Sequence, residues 1–590
     1  MTAYIPPLRD MDFVLRDLAG LADVAALPGY EDATPELVRS ILEEAGRIAE
    51  EVLSPLNKSG DSQGARLVDG KVITADGWKQ AYATLAEGNW IGLAAATEFG
   101  GMGLPGMVNT AVNEMWQASN MAFALCPMLT QGAFNAIVEC ASEQQKQTYL
   151  PKMASGEWAG TMNLTEASAG SDLGAVRTRA VKTGDHYLIS GQKIFITYGD
   201  QDLTDNIVHL VLARTPEAPA GVKGISLFIV PKMLPDGRQN DVHAVSLEHK
   251  LGIHASPTCV LAFGDHGGAV GHLVGEENRG LEYMFVMMNH ARLNVGLQGV
   301  AIAERAYQQA LSFARERVQG KPIGCAERTA IIEHPDVRRM LMTMKSYIEA
   351  MRALAYVAAG ELDKAHGAAD PAARAAALTY HELLNPVVKG WCTEIGNEVA
   401  SLGVQVHGGM GYIEETGAAQ HFRDARITTI YEGTTGIQAN DLVNRKILRD
   451  KGAAAFAALT QVTDQAGLLK QTADADLQAV GSRLASAAEL ARQAVQWVID
   501  AAAESPRLPA AAAVPLLHLM GTVLGGHQLA RGALIARRRL DAGEGDAAFW
   551  TARLKTARHY ADCILPKAGA WASHVTDGSR TVMSLTADQM

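Results

Sequence analysis

"HYLISGQKIFITYG", residues 186–199, is the stretch on which the fold turns. β-Branched and aromatic residues recur in it, and glycines bound it, as in a strand. Phe195 and Thr197 stand two residues apart, on one face of such a strand. "NIVHLVLAR", "KGISLFIVPK" and "TCVLAFGD" follow with the same texture and with Gly, Asp and Pro between them. Together they predict a small antiparallel β domain over residues 160–275.

Outward from this block both flanks read as helix. Upstream, "TPELVRSILEEAGRIAEEVLSPLN" places Thr34 as N-cap and Pro35 at the first helical position. Leu37, Ile41, Leu42, Ala45, Ile48, Ala49 and Val52 then form one apolar face, and Pro55 is expected to end the helix. Downstream, long helical patterns run to about residue 450. An alanine-rich segment such as "LQAVGSRLASAAELARQAVQWVIDAAAE" continues the helical spacing to the end. The expected organisation is an N-terminal extension (1–33), an N-terminal helical domain (34–159), the β domain (160–275), a helical domain (276–450) and an extra C-terminal helical domain (451–590). The fold class is mainly α with a central β domain.

Composition narrows the function classes. Hydrophobic residues make up 48% of the 590 and charged residues 20%, which is a globular composition. The net charge of −12 argues against a partner bound through phosphates alone. Six scattered cysteines form no CxxC and no zinc-spaced cluster, so no metal site is expected, and buried thiols in a reducing compartment are. The N-terminus lacks the basic-then-apolar order of a signal peptide. The apolar run "AAAAVPLLHLMGTVLGG" carries Pro515 and His518, and reads as a buried helix rather than a membrane span. The expected location is the cytoplasm.

Four stretches carry candidate chemistry. "MNLTEASAGSD" (162–172) offers small residues and the Thr165 and Ser171 hydroxyls to a flat polar ligand, or forms a plain turn. In "SGQKIFITYG" an aromatic beside a hydroxyl suits a conjugated ring, or an ordinary sheet. "QVHGGMGYIEE" (405–415) strips side chains at Gly408, Gly409 and Gly411, so that a backbone or phosphate can come close, or the chain can simply turn between helices. It is neither a dinucleotide fingerprint nor a P-loop. In "TIYEGTTGIQAN" (429–440) Glu432 precedes Gly433 and a helix start near Thr434. It is either a cap or dipole partner, or a base whose pKa is raised by burial.

"TEASAGSD", "GQKIFIT", "KLGIHASPT", "QVHGGMGY", "FRDARI" and "IYEGTTGIQ" occur in the order and spacing of the acyl-CoA dehydrogenase flavoproteins, which residues 35–450 resemble. The N-terminal "YIPPLRDMDFVL" and the extra C-terminal segment resemble the long branch of that family, whose members include 3-(methylthio)propanoyl-CoA dehydrogenases. The resemblance implies FAD as cofactor and an acyl-CoA substrate desaturated to the trans-2-enoyl-CoA. It makes 3-(methylthio)propanoyl-CoA the best substrate expectation, with short- or medium-chain fatty acyl-CoA as the alternative. Glu432 matches the family's catalytic base, and its amide the donor to the thioester oxygen. Met162, Leu164, Thr165, Ser171, Phe195, Ile196, Thr197, Arg317, Gln405, Gly408, Gly409 and Thr434 match the FAD positions. Ser171, Asn289, Arg292 and Gly433 match the substrate positions. Ala291 stands where some relatives carry the base on the other helix.

Four departures matter. Phe195 replaces the usual tryptophan. Gly436 replaces a polar residue often found two positions past the threonine, so no cofactor hydrogen bond is expected from it. "ERVQGKPIG" lacks the usual phenylalanine, which puts its subunit contact in doubt. His254 replaces a common arginine, so a structural ion pair is expected to be missing. The resemblance further implies a homo-oligomer, with a dimer expected, and an electron-transfer flavoprotein as electron acceptor. Two rivals share the fold. One is an oxidase that passes electrons to O2. The other is a DNA-associated alkylation-response relative, which needs a basic face that only "ARRRLDAG" (536–543) suggests; a solvated helix end explains that cluster, and no nucleic acid is expected.

Overall fold

A computed structural model describes residues 4–590; Met1 to Ala3 of the expected N-terminal extension lie outside the described residues. The chain divides into two compact units, one of residues 44–104 and 115–294, the other of residues 4–43, 105–114 and 295–590.

The first unit is built on strands. A hairpin pairs β1 (Arg66–Val68) with β2 (Lys71–Ile73). The main sheet holds β3 (Trp158–Asn163), β4 (Arg179–Thr183), β5 (His186–Thr197), β6 (Asn206–Ala213), β7 (Ser226–Pro231), β8 (Val242–Leu247), β9 (Thr258–Phe263) and β10 (Ala269–Val274). Its order is β3-β6-β7-β10-β5-β9-β8, with β4 pairing β5. The pairings are antiparallel except β3 with β6, which is parallel and so corrects the expectation of a purely antiparallel domain. The long crossover through β4 and β5 supplies the connection that a parallel pair needs. β6 and β7 are buried along their whole length, which is why they read as nearly continuous apolar runs, with Asn206, His209 and Ser226 as their polar members. Tyr187, Ile189, Val211, Phe228, Val230 and Leu261 belong to the core of this unit.

β5 departs from simple alternation. Tyr187, Ile189 and Lys193 are buried, then Ile196 is, so the buried parity switches. The cause is a register shift against β9 between Lys193 and Ile196.

The upstream helix α1 (Pro35–Ile48) starts as expected, with Thr34 Oγ1 accepting from the Leu37 amide at 3.2 Å. Val38, Leu42, Ala45 and Ile48 are buried, whereas Leu37 is exposed. Pro55 does not end the helical run. A wide turn at Ala49–Leu53 leads into α2 (Ser54–Gln63), where Pro55 sits in the first turn and its missing N–H costs nothing.

The second unit is helical. It takes in the start of α3 (Gly106–Cys140), the later part of α4 (Gly280–Glu316), then α5 (Pro335–Gly367), α6 (Pro371–His407), α7 (Thr435–Val443), α8 (Ala453–Lys470), α9 (Ala475–Glu504), α10 (Arg507–Asp541) and α11 (Ala547–Cys563). Arg352 on α5 donates to Glu114 and Glu304, and Tyr356 also donates to Glu114, all fully or nearly buried. α10 packs on α5, α6 and α7, so the C-terminal extension shares one core with the helices before it. Gly521 lies against the buried Trp391 of α6, where a Cβ would stand 2.2 Å from the indole Cγ. Gly525 makes the same accommodation at the far end of that indole.

α3 and α10 are both long and apolar enough to cross a membrane, but 89% and 67% of their most apolar windows are buried in the protein. All six cysteines are free. Cys126, Cys259 and Cys392 are buried, Cys140 is half-buried, and Cys325 and Cys563 are exposed, against the expectation that all would be buried.

Candidate functional site

In the first unit the loop after β3 is stapled to β5. The Lys193 ammonium donates to the Leu164 carbonyl at 3.0 Å and to Glu166 Oε1 at 2.8 Å. The Ile194 amide donates to the Thr165 carbonyl at 2.9 Å. Glu166 also accepts from the Arg177 amide (2.7 Å), the Thr178 amide (3.0 Å) and the Thr178 hydroxyl (2.6 Å). Burial pushes the Glu166 carboxyl up, but Lys193 and these donors outweigh it and hold it below its ordinary range. Burial lowers Lys193 to about 8, against the opposing pull of Glu166. The staple therefore fixes Leu164 and Thr165 against Lys193 and Ile194, the residues that lead into Phe195, Ile196 and Thr197, with Met162 on β3 just before the loop.

Phe195 is left in an unusual state. Its φ is +59° and 58% of it is exposed, while Ile196 is buried. A left-handed non-glycine residue costs about 1–2 kcal/mol, and the flanking contacts hold it there. Tyr198 (φ +51°) is pinned likewise, its amide donating to the Pro257 carbonyl and its hydroxyl to the Ala122 carbonyl. An uncovered aromatic face beside a rigid polar loop fits a planar cofactor. Ser171 lies at the exposed end of that loop. On α4, Arg292 is buried and donates to Asn289 Oδ1 at 3.3 Å, while Asn289 is exposed.

His254 in this unit corrects one expectation. Its Nδ1 lies 2.9 Å from Asp61 Oδ1, and its Nε2 2.9 Å from the Lys250 carbonyl oxygen. The imidazole makes an acidic contact where an ion pair was expected to be lost. Asp241, His243 and His266 also converge to within 4.8 Å, a grouping that spacing did not reveal. The His266 amide and ring donate to Asp241, and His243 Nε2 lies 3.3 Å from Asp265 Oδ2.

The second unit holds Glu432. The cap of α7 is Thr434, whose hydroxyl accepts from the Ile437 amide at 3.3 Å. Glu432 is thus not the side-chain cap of the helix. It is half-buried with φ +55°, and Gly433 follows at φ +88°. Three side chains hold this turn. Lys389 of α6, fully buried, donates to the Thr428 carbonyl at 2.9 Å and the Gly433 carbonyl at 2.6 Å. Gln438 Nε2 donates to the Glu432 carbonyl at 3.1 Å. The Tyr431 hydroxyl donates to Gln298. Burial, and then the adjoining Glu432 carboxylate, push the Tyr431 phenol well up, so it stays protonated as a donor.

Gln405 near the end of α6, and Gly408 and Gly409 just beyond it, are exposed, and both glycines face open space. Arg317 is exposed just after α4, and Val318 and Ile323 of its loop are exposed too. These positions offer surface to a cofactor or another chain. The tight basic cluster near the end of α10 is matched by acids: Arg537 pairs with Asp474 and Asp541, and Arg539 with Asp17.

Four family models match the chain in order. They are the acyl-CoA dehydrogenase N-terminal domain (residues 36–157), middle domain (161–266) and C-terminal domain (278–447), and an acetyl-CoA dehydrogenase C-terminal-like segment (449–586). The 3-methylmercaptopropionyl-CoA dehydrogenase of Ruegeria pomeroyi is 48% identical, over 98% of this chain and 99% of its own. The chain belongs to the acyl-CoA dehydrogenase family. A butyryl-CoA dehydrogenase of Syntrophomonas wolfei is 36% identical over 95% of each chain. An acyl-CoA dehydrogenase complexed with FAD from Bacillus anthracis superposes with a TM-score of 0.75 at 21% identity, covering 95% of this chain and 92% of its own, and shares the fold. The protein is accordingly an FAD-dependent acyl-CoA dehydrogenase with an added C-terminal helical domain, and the loop beside Phe195 fits that cofactor.

The motifs point to Glu432 and the loop at 162–171 as candidates. They do not reveal Lys193, Glu166, Lys389 and Gln438 as their supports. The one available signal for Lys389 was a lone cation inside the apolar run "NPVVKGWC".

Proposed function

We propose that Glu432 is the base of an α,β-dehydrogenation whose preferred substrate is 3-(methylthio)propanoyl-CoA. The observation that carries the base is its turn: Glu432 is held left-handed by Lys389 and Gln438 while Thr434 performs the capping. Backbone held in a sparsely populated conformation of this kind is characteristic of functional sites. Glu432 takes the α-proton of the thioester at its carboxylate, and its amide steadies the charge that develops on the thioester oxygen. FAD, when bound, supplies the acceptor for the β-hydrogen, which leaves as hydride. Thr165, Ser171 and the Phe195–Thr197 segment, with Met162 and Leu164, hold that cofactor. Arg317, Gln405, Gly408, Gly409 and Thr434 serve its phosphate and adenosine end. Arg292, Asn289, Ser171 and Gly433 serve the acyl-CoA.

The substrate reading is supported by the full-length likeness to the Ruegeria enzyme; the butyryl-CoA enzyme marks the alternative, a short straight chain. Reduced flavin must pass two electrons on, and an electron-transfer flavoprotein is the proposed acceptor. A homodimer is proposed because Met410, Tyr412 and Ile413 are uncovered beside the glycine turn, Tyr412 being 87% exposed. The cytoplasm is the proposed location. The test is anaerobic titration of the flavin absorbance with 3-(methylthio)propanoyl-, butanoyl- and palmitoyl-CoA. The first should bleach the flavin at the lowest concentration, and Glu432→Gln should slow bleaching at least 1,000-fold. Bleaching of the variant at the parent's rate would remove Glu432 from the role.

A further inference from the structure

We propose that Lys389 is a positioning residue for the reaction, and that it sets the place of the Glu432 carboxylate by clamping the turn on both sides of it. The inference rests on the reading of Glu432 as base. Lys389 reaches out of α6 and donates to two carbonyls, Thr428 before the base and Gly433 after it. Its side chain is fully buried. A buried ammonium given to two backbone oxygens makes strong, charge-assisted hydrogen bonds. Both lie within five residues of each other in the chain, and the base lies between them.

Gln438 completes the clamp from α7 by donating to the Glu432 carbonyl itself. Space for this comes from the residue beside the lysine. Gly390 lies where a Cβ would meet the Gln438 Cβ at 3.4 Å and Leu517 Cδ2 of α10 at 2.5 Å. The next residue, Trp391, is seated against Gly521 of the same helix α10. The C-terminal extension therefore presses on the segment of α6 that carries the clamp. This gives the extension a task in the chemistry: it backs the helix that holds the base. The turn needs holding because Glu432 and Gly433 are both left-handed, at φ +55° and +88°. Without Lys389 the two carbonyls lose a common donor and the turn is free to relax. A displacement of about 1 Å at a reacting group costs on the order of 100-fold in rate.

The experiment compares FAD-saturated parent, Lys389→Met, Lys389→Arg, Gln438→Leu and Glu432→Gln by anaerobic stopped-flow flavin reduction. The substrate is 3-(methylthio)propanoyl-CoA, unlabelled and dideuterated at the α-carbon. For Lys389→Met the expected result is a roughly 100-fold fall in the reduction rate, with flavin content and apparent substrate Kd within threefold of the parent. The α-deuterium isotope effect should rise, because proton removal becomes more fully rate-limiting. Lys389→Arg should recover part of the rate. A Lys389→Met protein that reduces flavin within twofold of the parent, while Glu432→Gln is blocked, overturns the inference and leaves the base in place. A Glu432→Gln protein that reduces flavin at the parent's rate overturns the base reading itself. If Lys389→Met does not fold, Gln438→Leu decides: a tenfold slower reduction with a raised isotope effect supports the clamp, and an unchanged rate and isotope effect overturn it.

Discussion

Asp363 is the group whose titration the fold exposes most directly to measurement. It sits on α5, 4% exposed, and accepts from the Gly106 and Met107 amides, each at 2.8 Å, at the start of α3. Burial raises its carboxyl from 3.8 to about 7, although the two amides pull the other way. The folded protein thus holds a proton between about pH 4 and 7 that the unfolded chain has released. Wherever the folded state binds more protons, stability falls as pH rises. The contribution is full below pH 4 and gone above pH 7. Three pKa units at 1.36 kcal/mol each amount to about 4 kcal/mol across that window. Asp363→Asn removes the titration. It also leaves one amide poorly paired, at a constant cost of about 1–3 kcal/mol. The variant should therefore be less stable than the parent at pH 4.5 and should overtake it by pH 8. At about 2 cal/mol/K of unfolding entropy per residue, a unit of this size moves roughly 1–2 °C per kcal/mol. Thermal midpoints followed by circular dichroism, with FAD saturating, should show the variant-minus-parent difference climbing by about 5 °C from pH 4.5 to pH 8. Other groups titrate alike in both proteins and cancel in the difference. A difference that stays flat to within 1 °C would refute the raised carboxyl.

Two further predictions follow from the packing. Lys193→Met leaves Glu166 buried with its charge unmatched, at a cost of about 3–5 kcal/mol for such pairs; the three remaining donors to Glu166 put the value near the lower end. The purified variant should carry less than half the parent's flavin, read from its visible absorbance per mole of protein, and a full complement of flavin would count against the staple. Gly521→Ala drives a Cβ to within 2.2 Å of the Trp391 indole, and overpacking of this kind costs about 1–3 kcal/mol. Its thermal midpoint should fall by several degrees, and Gly521→Ala in a Trp391→Phe background should recover part of the loss; no recovery would place the strain elsewhere.

Much of this was readable in the chain. Helical spacing on both sides of the strand-rich block predicted the layout, because apolar periodicity depends only on near neighbours in sequence. The Thr34 cap was legible for the same reason. Glu432 stood out through its motif, and so did the loop ending at Ser171. Pro55 is ambiguous in the sequence because a proline can stop one helix or sit in the first turn of another, and the wide turn before it settles which. The parallel pairing of β3 with β6 was not legible, since no local pattern records which distant strand lies alongside.

What the sequence determined by itself was therefore the set of parts: helices, strands, caps, and the motifs that carry the family resemblance. What only the tertiary structure decided was how those parts are held. Lys193 meets Glu166 across 27 positions, Lys389 meets Gly433 across 44, and Gly521 seats Trp391 from a different helix. A buried cation is costly wherever it stands, and only the three-dimensional placing of its acceptors turns that cost into a fixed geometry. Such contacts arise from chain crossings many turns apart. Burial, strain and charge pairing belong to those crossings, and no window of neighbouring residues contains them.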